Sequence, residues 1–169
     1  IGFAPQKATL FSKTIAENIR YGQDDATDAQ LLEALQAASA SEFVNKLPSG
    51  VEHELTQGAT NLSGGQKQRL AMARAFIRKP SILVLDDVTS AVDSISEKNI
   101  QRAIESKFQQ VTKFIVSSKI SSIRHADQIF VMDDGQIVAS GTHEQLLKMS
   151  PLYKEMAKTQ AEKGVTLSE

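Results

Sequence analysis

Two short runs carry residue types able to handle phosphate: Leu62-Ser63-Gly64-Gly65-Gln66 and, one helix further on, Asp86-Asp87. In the first, a hydroxyl and two positions without side chains precede a helix-compatible segment, Lys67 to Arg78. A helix starting there aims unpaired N–H groups and a partial charge of roughly +0.5 outward, and the glycines let an anion come close. In the second, the apolar run Ile82-Leu83-Val84-Leu85 ends in the two acids. That reads as a buried parallel strand delivering carboxylates to the carboxyl edge of a sheet, where open α/β folds place their ligands. An acid in that place can hold magnesium, usually through water, and so neutralise charge developing on a transferred phosphoryl group.

The elements around these runs are legible from caps and periodicity. Ile1 to Ala4 is a short strand ended by Pro5. Capping-box pairs Thr14/Glu17, Thr27/Gln30, Ser39/Glu42, Ser94/Glu97 and Thr142/Gln145 mark helix starts. The second of these helices should run to about Ala40, and Leu47-Pro48-Ser49-Gly50 is a turn by composition. The helix after Ser94 should reach about Phe108, with Ile95, Asn99, Ala103 and Ile104 near one face. Lys113 to Ser117 reads as a core strand, and Gln128–Met132 and Gln136–Ser140 as a hairpin around Asp133-Asp134-Gly135. Beyond about Met156 the chain is polar enough to fray.

Composition narrows the function classes. The 169 residues are 41% apolar and suit one globular domain. A net charge of −1 gives no bulk reason to expect nucleic acid or anionic lipid as a partner. With no cysteine, disulfide and thiol chemistry are excluded. No apolar run approaches the ~18 residues of a membrane span. His53, His125 and His143 lack metal-ligand partners at useful spacing. The basic set Lys67, Arg69, Arg74, Arg78 and Lys79 reads as a solvated helix face with local ion pairs rather than a nucleic-acid site.

From about Phe3 to Leu147 the chain resembles the nucleotide-binding domain of an ABC exporter, from the Q-loop onward. Leu62 to Gln66 resembles the family's signature motif, Ile82 to Asp87 its Walker B strand, and Ser90-Ala91-Val92-Asp93 its D-loop. The resemblance implies a partial α/β P-loop-NTPase fold: a helical subdomain plus the C-terminal part of the RecA-like sheet. Residues 1–155 would form the partial ATPase domain, with the Q-loop and helical subdomain over about 7–78, Walker B and the C-terminal elements over about 79–155, and a polar tail over 156–169. It implies ATP and magnesium as cofactors, with Asp86 and Gln6 toward the metal and Asp87 at the catalytic base position. Leu62 to Gln66 and Asp93 would face the nucleotide of a second ABC ATPase subunit. The surface near Phe11 to Ile19 would receive a coupling helix of a transmembrane domain, at the cytoplasmic face of a membrane.

Two residues depart from the family pattern. Asp87 stands where a glutamate is usual, which retracts the carboxylate by on the order of 1 Å, and such a misplacement can cost roughly 100-fold. Ser118, within Ser117-Ser118-Lys119, stands where the family has a histidine that contacts the γ-phosphate; a serine cannot carry positive charge there. The phosphate-cradling pattern G-x-x-x-x-G-K-[ST] is absent, so the sequence looks cut at Ile1 and should bind ATP weakly alone. These features imply the degenerate-site half of a heterodimer that supplies LSGGQ to its partner. Alternatives are a soluble ABC ATPase of DNA repair or translation, and a truncated non-enzymatic regulatory or relic fragment.

Overall fold

Local capping sets most of the α-helix starts. The computed structural model describes residues 1–166, with side chains through 162. It divides into two compact units, Ile1–Val116 and the chain from Ser117 onward.

In the first unit, strands β1 (Gly2–Ala4), β2 (Ile82–Asp86) and β3 (Thr112–Val116) form a parallel sheet in that order. Register pairs Ala4 with Leu85 and Leu85 with Ile115, and one residue earlier Phe3 with Val84 and Val84 with Phe114. Side chains alternate between faces. Ala4, Leu83 and Leu85 are therefore buried on one face, while Phe3 and Phe114 are exposed on the other. Strand β3, expected inside the sheet, lies at its edge.

Helix α1 (Ile15–Arg20) and helix α2 (Asp28–Ala37) begin at capping boxes built by Thr14 with Glu17 and Thr27 with Gln30. At six residues α1 is too short to persist in water, and burial of Ile15 and Ile19 holds it. After the short α3 (Ser41–Asn45), α4 (Gly64–Phe76) packs against β1, α1 and α2 through Leu70, Met72 and Phe76. Helix α5 (Ser94–Lys107) precedes β3.

Three local expectations need correction. Ser39 does not cap α3; its φ is 54°, and the Ser39 and Ala40 amides donate to the Gln36 and Leu35 carbonyls. That pairing is the Schellman closure of α2, with serine in the place glycine usually takes. Asp93, not Ser94, caps α5 by accepting from Ser96 N at 2.9 Å. The buried stripe of α5 is consequently Ser96, Ile100 and Ile104, and Ile95 is exposed.

The second unit contains α6 (Ile120–Ile123), an antiparallel hairpin of β4 (Ile129–Asp133) and β5 (Gln136–Gly141), α7 (His143–Met149) and α8 (Pro151–Thr166). Asp134 and Gly135 turn the hairpin with φ of 45° and 75°, the two positive values a type I′ turn requires. Ile120, Ile129, Val131, Leu146 and Tyr153 form its core. The stretch expected to fray from Met156 continues as helix, because Tyr153 is buried and Gln160 donates to Ser118 O and accepts from Ile120 N. Residues 167–169 of that tail lie outside the described residues. Among the described residues no helix is long and apolar enough to cross a membrane.

Candidate functional site

The start of α4 is built without help from any ligand. Ser63 Oγ accepts from Gln66 N at 3.2 Å, and Gln66 Oε1 accepts from Ser63 N at 2.8 Å. This reciprocal cap, S-x-x-Q, went unread as a cap in the sequence. It satisfies the amides of Ser63 and Gln66, leaving those of Gly64 and Gly65, which have no intrahelical acceptor at a helix start. Leu62 is buried behind them and donates its amide to Ala59 O at 3.0 Å.

The two glycines have different surroundings. A Cβ at Gly64 would meet nothing within 4 Å, whereas one at Gly65 would lie 2.6 Å from the carbonyl oxygen of Ala91. Gly64 thus leaves the helix end open, and Gly65 lets it seat on the Ser90–Asp93 loop. Arg69 adds to that seat: its Nη1 donates to Asp93 Oδ2 at 3.1 Å and Ser96 Oγ at 2.7 Å, and its guanidinium lies 5.0 Å from the Phe43 ring centroid. The Ser96 amide, then the Ser96 hydroxyl and Arg69, hold the Asp93 carboxyl below its ordinary pKa. Asp93 is therefore engaged within its own chain as a helix cap.

At the end of β2 the arrangement is less complete. Asp86 is half-buried at the strand terminus. Asp87 follows with φ of 47°, donating its amide to Val116 O at 2.8 Å. Gln6 Nε2 reaches Asp87 Oδ2 at 3.5 Å, the outer limit of a hydrogen bond, and Asp87 Oδ1 is buried with no partner among the described residues. Gln6 is steadied by its neighbour, since buried Gln68 of α4 donates to Pro5 O at 2.8 Å. Gln6 and Asp87, 81 residues apart in sequence, thus meet, and Gly65 meets the loop after Asp87. Ser118 belongs to the second unit, where its side chain is exposed and its carbonyl accepts from Gln160.

Helix start, acid-ended strand and the glutamine after β1 stand in the order and geometry of an ATP-binding cassette, and the ABC transporter family profile matches residues 1–90. The chain belongs to the ABC transporter family. It is 44% identical over 161 residues to the mitochondrial potassium channel ATP-binding subunit of Rattus norvegicus, covering 95% of this chain and 22% of that protein. It is 43% identical over 156 residues to a putative multidrug export ATP-binding/permease protein of Bacillus subtilis, covering 92% of this chain and 27% of the relative. The structure of a bacterial Atm1-family ABC exporter with ATP bound superposes with a TM-score of 0.91 at 37% identity, over 95% of this chain and 28% of that one. This ABC transporter chain therefore spans roughly a quarter of the length of these relatives. Its architecture is a partial P-loop-NTPase fold.

Members of this ABC transporter family bind ATP with magnesium, and the acid end of β2 fits such an ion. No group of three or more His, Cys, Asp or Glu side chains is placed to hold a metal among the described residues. A magnesium ion carried by phosphates and keeping its waters needs only one or two protein carboxylates, and the half-buried Asp86 at the end of β2 would be one such group.

Several ABC transporter residues were misread or missed in the sequence. Arg69 and Arg74, assigned there to a solvated face, turn inward; burial lowers the Arg74 pKa. Tyr21 packs on Phe11 with ring centroids 4.8 Å apart. The available signal was Asn18, an amide between the apolar Ile15 and Ile19; buried amides demand partners.

Proposed function

We propose that this chain is the nucleotide-handling part of an exporter-type ABC transporter, coupling ATP binding and hydrolysis to movement of a solute across a membrane. The observation that carries the reading is the start of α4: capped by its own Ser63 and Gln66, open at Gly64, and offering the Gly64 and Gly65 amides to an anion from outside the chain. In this reading those amides donate to the terminal phosphate of an ATP held by a second ABC ATPase subunit. The acid end of β2 serves the chain's other half-site. Asp87 accepts a hydrogen bond from the attacking water and Gln6 orients that water, a pairing supported by their 3.5 Å contact. Asp86 and Gln6 would hold the magnesium, which when bound would supply positive charge to offset that on the transferred phosphoryl group.

Asp87 at the base position and Ser118 at the family's histidine position each make this chain's own turnover slow, and the partner is a different subunit whose ATP meets an intact Ser63 to Gln66. A coupling helix of the transmembrane part docks near Phe11 to Ile19, which places the chain at the cytoplasmic face of the membrane. ATP turnover by the full-length gene product, reconstituted in lipid, tests this. The combined change Asp87→Glu and Ser118→His raises turnover at this half-site; an unchanged rate rules out the slow-site assignment. Failure to hydrolyse Mg-ATP under any of these conditions rules out the ATPase reading itself.

A further inference from the structure

Arg74 lies three turns along α4 from Ser63, and every hydrogen bond the structure gives its guanidinium reaches the segment Thr9–Asn18. Its Nε donates to Asn18 O at 2.8 Å, its Nη2 to Asn18 Oδ1 at 3.0 Å, and its Nη1 to Thr9 O at 2.9 Å. Asn18 is fully buried and distributes those bonds: its Oδ1 also accepts from Phe11 N at 2.8 Å, and its Nδ2 donates to Phe11 O at 3.0 Å and Thr14 O at 2.9 Å. The guanidinium carbon lies 5.3 Å from the Phe11 ring and 5.9 Å from the Tyr21 ring. Those two rings, packed on each other, are 40% and 64% exposed. An exposed aromatic pair is thus fixed from beneath by a single planar fork on the helix that starts at the signature glycines. Lysine cannot reproduce that fork.

We infer that Arg74 is a positioning residue for ATP turnover: it makes Phe11 and Tyr21 one rigid surface and ties that surface to α4, so that a displacement imposed on the rings reaches Ser63–Gln66. The inference rests on the docking role proposed for this surface and extends it to Tyr21. Arg74 touches neither nucleotide nor metal in this arrangement; it acts through Asn18 and the rings.

The test is a double-mutant cycle in the full-length gene product in lipid nanodiscs, with Mg-ATP as the probe and thermal unfolding measured on each variant. Arg74→Lys and Tyr21→Ala each lower kcat about tenfold and leave KM for ATP unchanged. The double variant is no slower than either single one, and Tyr21→Phe, which keeps the ring, stays near wild type. Multiplying losses in the double variant, a shift confined to KM, or a loss of turnover that tracks the fall in melting temperature overturns the relay. Should Arg74→Lys not accumulate folded, Asn18→Ser takes its place in the cycle, with multiplying losses again the overturning result. A silent Tyr21→Ala beside an impaired Gly65→Ala removes the docking reading and the relay with it. A slow Tyr21→Ala beside a normal Arg74→Lys removes the relay alone.

Discussion

The start of α4 and the end of β2 present opposite solutions to placing polar groups at an element terminus. At the start of α4 the side chains of Ser63 and Gln66 satisfy each other's amides, and Gly65 is seated against Ala91. At the end of β2, Asp87 has a left-handed backbone, one carboxylate oxygen at 3.5 Å from a donor and the other buried with none among the described residues. The first is finished by its own sequence. The second stores strain and an unmet hydrogen-bond requirement that a bound water or ion would relieve. Under the proposed function, preorganised donors suit a surface that recognises a nucleotide arriving on another subunit, and an unmet acceptor suits a position that holds a reacting water.

The largest expected effect comes from disturbing the finished end. Gly65→Ala drives a methyl into the Ala91 carbonyl and shifts α4 against the Ser90–Asp93 loop, so turnover falls about 100-fold. Gly64→Ala meets no internal atom; its unfolding free energy is unchanged or up to about 1 kcal/mol higher, while turnover falls about tenfold because the methyl occupies the anion's approach. Equal thermal stability of these two variants in calorimetry would break the distinction between the glycines.

Next in size, Asp87→Gly removes both the left-handed side chain and the orphan oxygen. Denaturant unfolding should show a gain of about 1 kcal/mol beside a loss of ATP turnover, the trade expected of a strained functional position. A destabilised Asp87→Gly would mean that the acid is structural. Ser63→Ala should cost about 1 kcal/mol in the same measurement, the usual value of an N-cap.

The smallest effect is on acid stability. The folded pKa of Asp93 is depressed, so its cap is complete above the unfolded value near 3.8 and weakens as pH falls through the lower folded value. Asp93→Asn should flatten the unfolding curve in that acid window, being less stable than wild type near neutrality and converging with it in acid; a variant as stable as wild type at neutral pH would show that the carboxylate charge adds nothing to the cap.

What could be read in advance depended on the range of the interaction. The Thr14, Thr27 and Thr142 caps and the Asp134-Gly135 turn are settled within four residues, and they fell where the residue types placed them. The Ser39 expectation failed because a Schellman closure and an N-cap compete for the same serine, and Ala40 bonding back to Leu35 decided it. Ser94 lost to its neighbour Asp93, whose carboxylate gains Arg69 from 24 residues away. The meeting of Gln6 with Asp87, and the inward turn of Arg69 and Arg74, depend on packing between elements far apart in sequence. Periodicity treats an arginine on α4 as solvated; only the fold shows which carbonyls surround it.

The length of α4 has a consequence in angles. Ser63 and Arg74 are eleven residues apart, about 16 Å along a helix rising 1.5 Å per residue. Pivoting such a rod at one end by about 4° carries the other end through about 1 Å, a displacement of the size that costs a reaction roughly 100-fold. In the inferred relay the helix would work as a lever whose useful stroke is a few degrees, and the tolerance of its bearings at Asn18 and Ala91 would have to be finer than that.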